Sequence, residues 1–111
     1  MAYYPLALNN LSTKLWQKFE AEFEATDSFD DIDEAIKLSQ EDVNLTAEYH
    51  PDRSVYLCTL GIALQLRFER SKLNQYIEQA IEMHVRAVDM TPKEYLHLAI
   101  QLINLAGAFR R

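Results

Sequence analysis

The sequence predicts an all-α fold, a right-handed α-solenoid of antiparallel helical hairpins with five helices and about two and a half repeats of 45 residues. Three observations favour this fold. Apolar residues recur at steps of three and four, which is typical of helices buried on one face. Only two Gly and three Pro interrupt 111 residues that are rich in Leu, Ala, Glu and Gln. The chain also resembles itself at an offset of 45 residues, and a period of about 20–50 residues indicates stacked repeats.

The offset is clearest where the segment 29–36 returns as the segment 74–81. Equivalent positions then carry the same or similar apolar residues: Ile32 and Ile77, Ala35 and Ala80, Ile36 and Ile81, Leu15, Leu60 and Leu105, and Phe19, Leu64 and Phe109. No gap is needed to keep this register. The pattern therefore predicts two complete helical hairpins and one unpaired helix.

Each predicted helix is defined by an apolar stripe and by the turn residues that bound it. The helices are expected at about residues 6–25, 29–48, 52–70, 74–90 and 93–110. Their stripes are, in order, Leu8, Leu11, Leu15, Trp16, Phe19 and Phe23; Ile32, Ala35, Ile36, Leu38 and Val43; Tyr56, Leu57, Leu60, Leu64 and Phe68; Ile77, Ala80, Ile81, His84 and Val88; and Leu96, Ile100, Leu102, Ile103, Leu105 and Phe109. Gly61 within a helix costs about 1 kcal/mol against Ala, so we expect it where paired helices touch.

Composition limits the classes of function. A chain of this length predicts a single domain, 1–111, with no apolar run long enough to span a bilayer. One cysteine, Cys58, and the lack of a signal-peptide pattern favour the cytoplasm. Residues 1–50 carry 11 acids and 3 bases, whereas residues 51–111 carry 6 acids and 8 bases. An acidic chain without a basic stripe is not expected to bind nucleic acid.

The repeat resembles the tetratricopeptide repeat, which has Leu-Gly-x-x-Tyr on its first helix, a small residue on its second and a following proline. The matching residues are Leu60, Gly61, Leu64, Ala80 and Pro92. It is more similar to a longer, kinesin-light-chain-like variety found in large fungal repeat proteins. The phrases that carry this likeness are His50-Pro51-Asp52-Arg53, Leu60-Gly61-Ile62-Ala63-Leu64, Arg67-Phe68-Glu69-Arg70 and Asp33-Glu34-Ala35-Ile36. The likeness covers nearly the whole chain and concerns architecture.

Three local patterns suggest chemistry, and each has a simpler structural interpretation. His50-Pro51-Asp52 also occurs in J-domain co-chaperones, but the preceding helix there is basic and here it is acidic, which favours a turn between repeats. The acids from Asp27 to Glu34 lack the glycine and glutamate of a calcium loop, so they are read as helix-start acids. His50, His84 and His97 do not have zinc-ligand spacing. The sequence predicts neither a cofactor nor a metal, and it does not predict an enzyme.

The resemblance implies a non-catalytic module for protein–protein interaction, because the first helix of each tetratricopeptide pair lines a concave groove. The residues that it places in the groove are Asn10, Thr13, Lys14, Gln17, Glu20, Cys58, Thr59, Ile62, Gln65 and Asn104. The predicted partner is a protein or peptide. The alternative is a self-assembling structural element, either a homodimer through Ile100, Leu102 and Ile103 of the uncapped last helix or the N-terminal fragment of a larger repeat protein.

Overall fold

The computed structural model describes residues 4–48 and 50–90, which form four α-helices and, within those ranges, no β-strand. The helices are α1 (Tyr4–Thr26), α2 (Asp30–Leu45), α3 (Arg53–Ser71) and α4 (Asn74–Met90). The all-α prediction is confirmed for this part of the chain, and each of the first four predicted helices is present. The fifth predicted helix, at about 93–110, lies outside the described residues.

The two hairpin turns, which join α1 to α2 and α3 to α4, have the same backbone conformation. Asp27 and Lys72 lie 45 residues apart, and both adopt left-handed geometry, with φ of 55° and 62°. The amide of Asp27 donates to the carbonyl of Phe23, and the amide of Lys72 donates to that of Phe68, each at 2.7 Å. This bond satisfies a carbonyl that the last helical turn would otherwise leave without a partner.

A hydroxyl completes each turn in the same way. The amide of Ser28 donates to Oγ1 of Thr26, and the amide of Leu73 donates to Oγ of Ser71, both at 3.3 Å. Ser and Thr commonly accept such a bond from a residue two positions later. The two turns therefore share both of their distinctive hydrogen bonds.

The C-terminus of α2 lies about three residues before its predicted end, because side chains take up its last carbonyls. The backbone of Thr46 is extended, and its hydroxyl donates to the carbonyl of Asp42 at 2.7 Å. The guanidinium of Arg53 donates to the carbonyls of Val43 and Thr46, at 3.1 and 2.6 Å. A cation at this end is also favoured by the helix dipole. Arg53 thus ends α2 and ties it to the start of α3.

The four helices pack in an open order. α1 packs against α2, and α3 packs against α4, as antiparallel pairs. α3 also contacts both helices of the first hairpin, whereas α4 contacts, among the described helices, α3 alone. A basic side chain marks each end of the α2–α3 contact, since Arg53 meets the end of α2 and Arg67 pairs with Asp33 near its start.

Two hydrophobic clusters form the core of the described residues. The first joins α1, α2 and α3 through Phe19, Ile32, Ala35 and Ala63, and the second joins α2, α3 and α4 through Val43, Tyr56, Leu57, Leu60, Leu64, Ala80, Met83 and Ala87. Ile36 packs against both clusters. α3 is therefore the central helix, and all five residues of its predicted stripe are buried.

The stripes of α1 and α2 were predicted less accurately. Leu11 was expected in the core, yet 48% of its surface is exposed, while the neighbouring Ser12 is fully buried. On α2, Leu38 is only half-buried, and the polar residues Ser39 and Asp42 are buried instead. The hydroxyl of Ser12 donates to the carbonyl of Ala35 at 2.9 Å and also bonds the hydroxyl of Ser39. These bonds allow two serines to occupy positions where the apolar pattern indicates none.

Gly61 lies where α3 and α4 touch, as predicted. A Cβ at this position would stand only 2.7 Å from Cε1 of His84. Real Cβ atoms do not approach that closely, so the ring of His84 fills the space that glycine leaves. Ala35 and Ala80, the aligned small residues on the second helix of each hairpin, are both fully buried.

Candidate partner-binding surface

α1 and α3 lie side by side, which brings the two predicted groove-lining helices together. Trp16 of α1 and Ala63 of α3 belong to the same apolar cluster. Near the end of both helices, Nη1 of Arg70 lies 2.7 Å from Oε1 of Glu24. The two helices therefore run in the same direction and present adjacent outer faces.

The predicted groove residues of α1 lie on its outer side. Asn10, Lys14, Gln17 and Glu20 are exposed, and Thr13 is half-buried. Lys14 and Glu20 carry opposite charges, so this strip has little net charge. Its side chains can donate and accept hydrogen bonds along about three helical turns.

The predicted groove residues of α3 are less accessible than those of α1. Cys58, Ile62 and Gln65 are half-buried. Thr59 is only 7% exposed, and its hydroxyl donates to the carbonyl of Val55 at 3.1 Å. The structure thus places Thr59 in the protein interior, where its hydrogen bond is already made within α3.

The remaining predicted contact residues lie outside the described part of the chain. Asn104 was expected in the groove, and Ile100, Leu102 and Ile103 were expected at a dimer contact. The contacts expected of these four residues remain predictions.

Two arginines of α3 connect the hairpins at one end of this surface. The guanidinium of Arg67 lies 3.8 Å from the centroid of the Phe29 ring and 5.0 Å from that of Tyr76, and its Nε is 2.8 Å from Oδ1 of Asp33. Stacking on an aromatic face and pairing with a carboxylate suit the planar guanidinium better than an ammonium. Arg67 therefore links α2, α3 and the start of α4.

Arg70 makes a similar but more exposed contact. Its guanidinium lies 5.0 Å from the centroid of the Phe23 ring, and its partner Glu24 has a side chain that is 80% exposed. Together the two arginines explain part of the charge asymmetry in the sequence, because bases of the second half neutralise acids of the first half. The segment from Arg67 to Arg70 is one of the phrases that resemble the tetratricopeptide repeat, but its role between the hairpins depends on tertiary contacts that are not visible in the sequence.

The tripeptide His50-Pro51-Asp52 forms a turn before α3. All three residues are exposed, and the amide of Asp52 donates to Nδ1 of His50 at 3.0 Å. Arg53, which follows, makes its bonds to the end of α2. This geometry gives the motif a structural role in joining the two hairpins.

Two titratable side chains, Asp42 and His84, are buried without a hydrogen-bond partner among the described residues, and of the two only His84 lies on a predicted apolar stripe. Asp42 is 1% exposed, and neither carboxyl oxygen has a hydrogen-bond partner in the described structure. Burial raises the pKa of its carboxyl from 3.8 to about 7. Burial, followed by the charges of Asp52 and Asp42, also raises the pKa of the Tyr56 phenol.

His84 is the buried titratable group on the second helix of the second hairpin, although it does not align with Asp42 at the 45-residue offset. It is fully buried, and neither ring nitrogen has a hydrogen-bond partner among the described residues. Burial lowers the pKa of its imidazole from 6.5 to about 4, so the ring is neutral at physiological pH. Its apolar environment and its contact with Gly61 give it the role of a packing residue.

Residues 4–48 and 50–90 contain no group of three His, Cys, Asp or Glu side chains that could hold a metal ion. Within the same ranges, no helix is both long and apolar enough to cross a bilayer. No protein-family model, no curated protein and no solved structure matches this chain.

Proposed function

We propose that this chain is a non-catalytic, tetratricopeptide-like helical-repeat module that binds a protein or peptide along the groove between α1 and α3. The open packing order carries the proposal: α3 contacts three helices, whereas α4 contacts, among the described helices, α3 alone. A closed four-helix bundle would also bring α4 to α1. In a solenoid, by contrast, each hairpin contacts only its neighbours and leaves an extended binding face.

The matching hairpin turns support the repeat on which this proposal depends. Asp27 and Lys72 have the same left-handed geometry and the same hydrogen bond, 45 residues apart. The proposed solenoid is right-handed and continues into a fifth helix at about 93–110. A single cysteine fits a reducing compartment, so the cytoplasm is the proposed location.

The chemistry of the surface favours a peptide without strong net charge. α1 contributes amides and one pair of opposite charges, and α3 contributes the half-buried Ile62. Such a strip suits an extended or helical peptide that makes several polar contacts around one apolar contact. Lys14 is the only base near the middle of the predicted groove, which disfavours recognition of a terminal carboxylate.

A displayed library of random peptides, selected on the full chain, tests this proposal. The chain offers a matched pair of surfaces, because Lys14 and Gln17 on α1 have the same spacing as Lys37 and Gln40 on the exposed side of α2. The test variant is Lys14→Glu with Gln17→Glu, and the control variant is Lys37→Glu with Gln40→Glu. Both variants change the net charge equally, and circular dichroism checks that both fold.

We expect the selected peptides to lose at least tenfold in affinity for the α1 variant and to bind the α2 variant unchanged. Equal loss of affinity for both variants would show that only net charge matters, and it would contradict binding in the proposed groove. Two results together would favour the self-assembling alternative. The first is that no peptide is selected, and the second is that light scattering shows a dimer, which Ile100→Asp and Ile103→Asp convert to a monomer.

A further inference from the structure

Each hairpin buries one titratable side chain on the face of its second helix. In the first hairpin, Ser39 faces α1 through its bond with Ser12, and Asp42 lies three residues later on the same side of α2. In the second hairpin, His84 faces α3 through its contact with Gly61. Both side chains therefore lie between helices that would have to separate before water could reach them.

Among the described residues, neither group has a hydrogen-bond partner that would stabilise its charged form. A buried carboxylate or imidazolium without hydrogen bonds is costly, so the folded hairpin favours the neutral form of each. In the open hairpin, water solvates the charged form. The two groups differ in one respect: the carboxyl becomes charged as pH rises, whereas the imidazole becomes charged as pH falls.

The charged groups near Asp42 do not compensate for its burial. On α3, the guanidinium of Arg53 is engaged by the carbonyls of Val43 and Thr46, and Tyr56 is a neutral phenol whose pKa is raised. Among residues 7–26 of α1, those buried towards this end are the uncharged Leu8 and Ser12, and the half-buried Asn9, also uncharged, has its Oδ1 in the interior. The burial of the carboxyl is the cause of its raised pKa.

Within the described residues, the contacts of the His84 ring are also uncharged. α3, the described helix packed against α4, meets the ring with Gly61, and its charged residues Arg53, Arg67, Glu69 and Arg70 lie towards its ends. On α4 itself, Arg86 is half-buried and bonds the sulfur of Met83. Burial is the cause of the lowered pKa of the imidazole.

We propose that the two hairpins open selectively in opposite directions of pH, the first hairpin as pH rises and the second hairpin as pH falls. The outer helices, α1 and α4, report the two openings separately, since α3 packs against helices of both hairpins. The opening equilibrium of α1 increases about tenfold per pH unit from about 4 to about 7. That of α4 increases about tenfold per unit as pH falls from 6.5 to about 4.

Hydrogen exchange of the full chain, resolved by helix with mass spectrometry, tests this inference. Protection factors are corrected for the intrinsic effect of pH on amide exchange and compared across the range from pH 4 to pH 8. We expect protection of α1 to fall towards pH 8 and protection of α4 to fall towards pH 4. Protection that falls in both helices together at either limit would overturn the proposal, because the hairpins would then open as one unit.

Two substitutions assign the effects to their groups. Asp42→Ala introduces the residue type that stands 45 positions later, at Ala87, and should make the protection of α1 independent of pH. His84→Met, or His84→Leu if the first variant does not fold, should do the same for α4. Glu34→Ala and Val85→Met are the controls, since both residues are exposed on the same helices as Asp42 and His84, and they should keep both pH dependences. A pH dependence that survives Asp42→Ala or the His84 variants would contradict the proposal.

Discussion

The α1–α2 and α3–α4 hairpins can be compared residue by residue, since each position in the first has a counterpart 45 residues later. Their turns match in backbone geometry and in hydrogen bonds. Their centres differ. The first hairpin buries Ser39 against Ser12, whereas the second buries the large ring of His84 against Gly61.

The difference shows how one helical hairpin can accommodate two kinds of packing. Trp16 stands where the second hairpin has Gly61, and Ser39 stands where it has His84. At these aligned positions, the sequence has a large residue on one helix and a small one on the other, and the order is opposite in the two hairpins. Alternation of large and small residues across an interface preserves dense packing.

A second difference concerns polarity. Asp42 and Ala87 are counterparts, and both are buried, at 1% and 0% exposure. The first hairpin therefore carries a desolvated carboxyl at a position where the second carries a methyl group. Substitutions that exchange these features test how far the two hairpins are equivalent.

The largest expected effect is that of Ala87→Asp, which places the carboxyl of the first hairpin in the second. At pH 7, an unpaired carboxylate at this buried position should lower the free energy of unfolding by about 3–5 kcal/mol. Urea denaturation followed by circular dichroism measures the loss. Asp89→Ala, on the exposed side of α4, is the control and should change stability by less than about 0.5 kcal/mol.

Gly61→Ala should cost about 2 kcal/mol, although alanine is the better helix former. Its Cβ would stand 2.7–2.9 Å from three atoms of the His84 ring, and overpacking of this kind costs about 1–3 kcal/mol. His84→Ala in the same background should recover part of the loss, and a double-mutant cycle measures the coupling between the two positions. Additive losses would mean that the ring does not occupy this space.

Asp42→Ala should increase stability by about 1–3 kcal/mol at pH 8, because it removes a desolvated carboxylate. The raised pKa fixes the sign of the pH dependence: the carboxyl is protonated in the folded state up to about pH 7 but ionises near pH 3.8 when unfolded. The native chain therefore loses about 1.4 kcal/mol per unit as pH rises through this window, so the gain from Asp42→Ala should shrink as pH falls and become a loss near pH 4. Thermal melts of the native chain and of Asp42→Ala, each at pH 4 and at pH 8, measure this change in stability. A larger gain at pH 4 would contradict this account.

The smallest expected effect concerns the two turns. Asp27→Gly and Lys72→Gly should each stabilise by up to about 1 kcal/mol, because glycine adopts left-handed geometry without strain. Lys72→Gly should gain more stability than Asp27→Gly, since aspartate tolerates left-handed geometry better than lysine does. Melting temperatures of the two single variants make the comparison. If one substitution lowers the melting temperature and the other raises it, the two turns are not equivalent.

The sequence predicted those features that depend on apolar periodicity and on the repeat. The stripe of α3 was correct throughout, and Gly61 was correctly placed at the contact between α3 and α4. Periodicity failed where polar residues occupy the core. Ser12 is buried because its hydroxyl bonds the Ala35 carbonyl, and a sequence pattern cannot show that bond in advance.

The repeat itself offered a signal for one buried polar residue. Asp42 aligns with Ala87, a small residue on the interior side of α4, and this alignment marks position 42 as interior. The groove was harder to predict, because the accessibility of Thr59 depends on how α3 packs between its neighbours. The link from Arg67 to Phe29, Asp33 and Tyr76 likewise requires three helices to meet.

The distance between α1 and α4 tests the central claim, an open stack of two hairpins, most directly. In a Cys58→Ser background, spin labels on Gln17→Cys and Glu82→Cys report the α1–α4 separation, and labels on Gln17→Cys and Glu34→Cys report the packed α1–α2 pair. Packed helix axes lie about 8–10 Å apart, so the stack predicts that the first distance exceeds the second by about one such spacing. Equal distances would place α4 directly against α1 and would contradict the open stack.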